Sequence, residues 1–263
     1  MNNKIIDFTN QGKTEDRQFV TALARGLEIL RCFGKAGPIL GNQDLAAMTK
    51  LPKPTISRLT HTLVQLGYLK NAPGTNQLQL DIGVLALGQR LLNNLAIKNI
   101  ADPYMRNLAE YSKSAVAISA RDRLQMLYLH VVHGESNSTM RRPIGSTLPI
   151  HSSAMGRACL AAMQDDERNF ILQHLKDKHT QEEWNVINEN LEQAFQDYSE
   201  FGCCFSIGEW HSNVNAVAVP LIHQDDVFVF NCGGPSFQLN EQFLRQDVAP
   251  RLINMIVNIQ ESM

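Results

Sequence analysis

Three groupings of side chains in this 263-residue sequence have types and spacing suited to chemistry. Lys53, Thr55, Ser57 and Arg58 surround Pro54, two cations able to meet phosphate or guanine beside two hydroxyls able to meet bases or backbone oxygens. Ser152 to Met155 stand where a helix opens, and the free amides and positive dipole end of such a terminus hold an anion. Cys203, Cys204, Cys232, His151 and His211 are soft or borderline metal ligands, but their spacing fits no compact zinc pattern and adjacent cysteines point in different directions, so no metal is expected. Enzymatic readings are weaker. Gly145-Ser146-Thr147 and His151-Ser152-Ser153 carry hydroxyls and a histidine without a GxSxG elbow, and the sequence contains no Walker or dinucleotide glycine pattern. Gly233-Gly234-Pro235 reads as a turn at a strand end, and Glu209, Asp225 and Asp226 as solvated loop carboxylates. No catalytic residue and no cofactor is expected.

The elements that must position these groups are legible from hydrophobic period. Val20, Leu23, Ala24, Leu27 and Leu30 recur at helical spacing between Phe19 and Phe33, and Gly34 ends the run. Asn42 stands as the expected N-cap of a second, short helix, with Asp44 in its first turn. Pro54 opens a third helix with Ile56, Leu59, Leu63 and Leu66 on its apolar stripe and Gly67 as its C′ residue. Tyr68 to Lys70, the turn Ala72 to Asn76, and the alternation Gln77 to Leu80 predict a hairpin. Three short helices and a hairpin make a winged helix-turn-helix at 17–81, behind a disordered tail at 1–16. An apolar helix from Ile82 to Ile97 needs a partner, its own core or the same helix of a second subunit, and serves as a linker at 82–100. Pro103 is expected on its far side.

Beyond it, Ser114 to Val132 predicts a hairpin turning at Arg121-Asp122-Arg123, and strands return at Val214 to Leu221 and Val227 to Asn231. Helices are signed at Ser152 to Met163, after the capping box Thr180 to Glu183, and after Asn240, with a kink at Pro250. Helices segregated against an antiparallel sheet predict an α+β domain at 101–263.

The net charge of −2 hides opposite halves. From Arg17 to Asp81 eight basic side chains face three acidic ones, a surplus of +5, while residues 82–263 carry −6 and residues 1–16 carry −1. The small basic domain suits phosphates, and the acidic domain is held off them. No apolar run is long enough to span a bilayer, no signal peptide opens the chain, and five cysteines without disulfide spacing suit a reducing compartment, so a cytoplasmic protein without a membrane partner is expected.

The run ALARGLEIL, the block LPKPTISRLTHTLVQLGYL, the hairpin after it and PIHSSAMGRACLAAM resemble the IclR family of bacterial transcription regulators from about Phe19 onward. The resemblance implies a winged helix-turn-helix, a linker helix and a GAF-like effector-binding domain, assembled as a homodimer and often as a dimer of dimers on double-stranded operator DNA. It implies DNA contacts from Lys53, Thr55, Ser57 and Arg58, with Arg25, Asn42 and His61. It also implies a small-molecule effector whose carboxylate meets the backbone of Ala154 and Met155. Met140, Leu148 and Val214 match apolar pocket positions, and Ser206, Ala216, Asn231 and Gly233 match the polar wall. Relatives that bind glyoxylate-like acids commonly have an aspartate at the position of Ser206, while Ala216 is commonly a cysteine and Asn231 and Gly233 stand where two serines usually do. Those departures, with Trp210 nearby, point to a different effector, larger or aromatic. The competing reading is a metabolite-processing enzyme carrying an accessory helix-turn-helix.

Overall fold

Ile29, Leu45, Ile56 and Leu63 come from three different helices and share one core, which is why the first unit of the chain closes as it does. The computed structural model describes residues 17–34, 37–134, 142–224 and 226–263, divided at Asn94 and Leu95 into two units. In the first, α1 (Thr21–Cys32), α2 (Asn42–Thr49) and α3 (Lys53–Gln65) pack over a small antiparallel sheet of order β1-β3-β2, with β1 at Ile39–Leu40, β2 at Leu69–Asn71 and β3 at Leu78–Leu80. Helix α3 stops as its sequence predicts: Gly67 adopts φ 74°, and the amides of Gly67 and Tyr68 donate to the carbonyls of Val64 and Leu63 at 3.0 and 2.9 Å. The start of α2 differs from expectation. Gly41, not Asn42, is the N-cap, because the Asp44 carboxylate reaches back to accept the Gly41 amide at 2.8 Å and draws Asn42 into the first turn. The two-residue β1 is too short to leave a periodic signal.

Helix α4 (Ile82–Asn93) starts on Asp81, whose carboxylate accepts the Ile82 amide at 2.9 Å and pairs with Lys70 at 3.0 Å. It buries none of its residues within this chain, and Ile82, Leu85, Leu87 and Leu91 are each more than half exposed. The apolar run expected to continue to Ile97 breaks at Asn94 and Leu95, and Ala96–Ser112 forms a separate helix, α5. Pro103 does not punctuate a loop; it lies inside α5. The face formed by Ile97, Ala101, Met105, Leu108 and Ala109 is buried against the sheet of the second unit. Burial on that scale outweighs the roughly 3 kcal/mol that a mid-helix proline costs.

The second unit is built on a six-stranded antiparallel sheet of order β6-β5-β4-β9-β8-β7. Its strands are β4 (Ala115–Asp122), β5 (Gln125–His133), β6 (Thr147–Pro149), β7 (Cys204–Ile207), β8 (Val214–His223) and β9 (Asp226–Pro235). Strand alternation sorts the side chains between two layers. Val116, Ile118, Phe205, Val217 and Phe230 face α5 and the C-terminal helices. Ala117, Cys204, Ala218 and Val229 face α6 (Ala154–Ala161), α7 (Asp165–Lys176) and α8 (Gln181–Phe201). The Thr180–Glu183 box opens α8 reciprocally, at 3.3 Å from the Glu183 amide to the Thr180 hydroxyl and 2.9 Å from the Thr180 amide to the Glu183 carboxylate. Asn240 caps α9 (Glu241–Phe243) by accepting the Phe243 amide at 2.9 Å. Pro250, expected to kink the last helix, lies in the first turn of α10 (Ala249–Glu261), where its missing amide costs nothing, just past a π-helical stretch at Leu244–Val248.

Candidate functional site

A single cross-strand row, Ala115, Gly233, Ala216 and Ser206, runs over β4, β9, β8 and β7 on the face that carries α6. Side chains directly opposite one another share a face, and none in this row is larger than serine, so the sheet cannot fill the space in front of α6. The result is a cavity of about 80 Å³, sized for a small molecule. The next row, Ala117, Asn231, Ala218 and Cys204, adds one polar side chain, Asn231. Tyr128, Arg142, Leu148, Trp210 and Val214 form the walls.

One end of the cavity is the N-terminus of α6. Ser153 is its N-cap, accepting the Gly156 amide at 3.1 Å and donating its hydroxyl to the Pro149 carbonyl at 2.6 Å. Ala154 and Met155 follow in the first turn, where helix geometry leaves amides without an intrahelical acceptor and the dipole is positive, and both line the cavity. Gly156 allows α6 to settle this deeply: a Cβ there would stand 2.0 Å from the Ile150 carbonyl oxygen.

Buried Arg157 ties the surrounding loops to the helix. Its guanidinium makes a bidentate pair with Glu209 and donates to the carbonyls of His151 at 3.2 Å and Phe205 at 3.0 Å. Its charge is thereby committed to the scaffold. Ser206 donates to the Ser152 carbonyl at 2.9 Å, a second stitch between β7 and the entry to α6. Arg142 also lines the cavity, stacked 4.6 Å over the Trp210 ring. Burial pushes the Tyr128 phenol up to about 12, leaving a neutral hydroxyl at neutral pH. Burial, helped by His179 and Arg157, pushes His151 down to about 4 and keeps it neutral.

All ligand-site positions expected from the sequence therefore lie on one cavity except Met140, which falls outside the described residues. Tyr128 and Arg142 were missed; a dibasic pair beside Met140 was the available signal for Arg142. Cys203 and Cys204 face opposite sides of the sheet, and among the described residues no cluster of three metal-ligating side chains forms. In the first unit Lys53, Ser57, Arg58 and His61 are exposed along α3 and Thr55 is half-buried, while Ile56 and Leu63 fill the core. Arg25 is exposed on α1, and Asn42 lies at the start of α2 with its side-chain oxygen 3.5 Å from the Thr60 hydroxyl.

Residues 22–73 match the IclR helix-turn-helix domain, and residues 89–253 match the model of the bacterial transcriptional regulator IclR C-terminal domain. The chain belongs to the IclR family of transcriptional regulators. It is 34% identical to the HTH-type transcriptional regulator TsaQ1/TsaQ2 of Comamonas testosteroni over 93% of this chain and 88% of that one. It is 26% identical to the HTH-type transcriptional regulator KdgR of Escherichia coli over 88% of each. The crystal structure of an IclR family transcriptional regulator from Brucella abortus superposes with a TM-score of 0.93 at 56% identity over 97% of both chains. This IclR-family chain is thus a helix-turn-helix transcription regulator, of a kind whose relatives are regulators rather than enzymes. No helix among its described residues is long and apolar enough to cross a membrane.

Proposed function

We propose that this regulator reads operator DNA with α3 and that a small carboxylate in the α6 cavity modulates that binding. The observation that carries the ligand reading is the pair of first-turn amides, Ala154 and Met155, opening onto a hollow left by a row of small side chains. An anion there meets backbone donors and the helix dipole, in a cavity whose wall also carries the Arg142 side chain. An IclR homologue of the same fold from Microbacterium hydrocarbonoxydans, 19% identical with a TM-score of 0.66, is described as complexed with 4-hydroxybenzoate. For DNA, Lys53 and Arg58 supply phosphate or guanine contacts and Thr55, Ser57 and His61 supply neighbouring hydrogen bonds, with Arg25 and Asn42 flanking. The exposed leucines of α4 suit self-association, which would set two winged units at a fixed spacing on a two-fold operator. A ligand modulates such a dimer only if it binds one spacing better than another.

The test pairs a thermal-shift screen of small carboxylates with operator binding by fluorescence anisotropy, each with and without the hits. Ala154→Pro removes one anion-binding amide at a helix position that favours proline. Loss of carboxylate binding by at least tenfold with an unchanged melting temperature supports the site. Unaltered affinity refutes it.

A further inference from the structure

Asn231 is 6% exposed, lines the cavity, and its side-chain oxygen is buried without a hydrogen-bond partner. A buried amide left in that state is a debt that native structures rarely carry without a functional reason. Its neighbour explains how it fits. A Cβ at Gly233 would lie 3.2 Å from the Asn231 amide nitrogen and 3.2 Å from the Ala216 Cβ, closer than side chains ordinarily pack. The absent side chain at 233 is therefore the space the carboxamide occupies, and the two positions act as one element. A hydroxyl satisfies such a carboxamide in either orientation, since it accepts from the amide nitrogen and donates to the oxygen.

We infer that the ligand is a hydroxylated carboxylic acid, with Asn231, seated over Gly233, as the residue that selects for the hydroxyl. This rests on the carboxylate reading of the α6 end and adds a second pole to it. The carboxylate is held by the Ala154 and Met155 amides, and the hydroxyl completes the carboxamide on the sheet floor. A site with a polar group waiting for a partner rejects the analogue that lacks one, because that analogue leaves the group buried and unpaired.

The experiment uses the full chain and acids matched except for one hydroxyl: glycolate and acetate, lactate and propionate, 4-hydroxybenzoate and benzoate. Affinities are measured by calorimetry for the wild type, Asn231→Leu and Asn231→Ser. The wild type is expected to prefer the hydroxylated member of at least one pair by about 10- to 100-fold, the ratio that one unpaired buried polar group sets. Asn231→Leu, similar in shape, is expected to abolish the preference with an unchanged or higher melting temperature of the ligand-free protein, since it removes an unsatisfied group. A purely structural asparagine would instead lower that temperature. Should Asn231→Leu fail to fold, Asn231→Ser carries the same comparison, with a preference weakened at least several-fold. Equal binding of both members of every pair, or a preference that survives substitution, overturns this inference and leaves the carboxylate reading standing. Absence of binding by all six acids overturns both.

Discussion

Replacing Arg157 with methionine is the perturbation that most directly tests how the cavity is held. The side chain is only 4% exposed and serves Glu209 with two nitrogens and the His151 and Phe205 carbonyls with two bonds. Methionine fills much of the volume but leaves Glu209 without its cation and two carbonyls without donors. Removing one partner of a buried pair typically costs about 3–5 kcal/mol, and because the Glu209 side chain is 31% exposed and reached by water, the lower end, about 3 kcal/mol, is expected. For a unit of this size that lowers the thermal midpoint by roughly 6–12 °C. Both tryptophans, Trp184 and Trp210, belong to the second unit, so intrinsic fluorescence in a urea titration follows that unit alone. The double variant Arg157→Met with Glu209→Leu should be more stable than Arg157→Met by itself, because no charge is then stranded. A single variant within about 1 kcal/mol of the wild type, or strictly additive effects in the pair, would refute the claim that this ion pair anchors the Trp210 loop.

Other consequences are equally direct. Gly156→Ala should destabilise the second unit by at least about 3 kcal/mol, since the new Cβ meets backbone atoms that cannot yield, and the same fluorescence titration reads it. Arg58→Ala should weaken operator binding by about 1–3 kcal/mol with no change in melting temperature. Lys53→Ala should weaken binding to operator and unrelated DNA alike and reduce the salt slope by about 1 in anisotropy titrations, and a base-specific loss would count against a phosphate role. His151 titrates near 6.5 when unfolded and at about 4 when folded, so the unfolded chain takes a proton that the native chain refuses. Its contribution to stability is therefore intact above pH 6.5 and declines as the pH falls toward 4, and His151→Asn should flatten that part of a urea-midpoint profile.

Local chemistry decided what was legible beforehand. The glycine end of α3, the Thr180–Glu183 box and the Asn240 cap each lie within a few residues of the element they start or stop, so their residue types announce them, whereas α6, expected to open on Ser152, is capped one residue later by Ser153. Helix α7 was not anticipated despite the acidic first turn Asp165, Asp166 and Glu167, because its apolar positions are sparse and only Ile171 and Leu175 are buried. Strand β7 carries no alternating signal, because its four residues are almost wholly buried and the opposite faces of Cys203 and Cys204 emerge only once the strand is paired. Pro103 misled because propensity is a local quantity, whereas α5 is held by packing against residues far away in the chain.

The ligand-site positions were named from resemblance, but the hollow itself could not be read from them. It exists because Ala115, Gly233, Ala216 and Ser206, distant in sequence, fall into one row when β4, β9, β8 and β7 pair in this register. By itself the sequence determined the helix-turn-helix with its wing, the basic and acidic stretches of the chain and the caps of α8 and α9, since each follows from side-chain type and short-range spacing. Only the tertiary structure decided that Arg157 is paired with Glu209 while Arg142 lines the cavity, and that the side-chain oxygen of Asn231 is buried beside Gly233 without a partner. Those outcomes depend on strand register and on which charges are buried together, and register is a long-range property that no local pattern encodes.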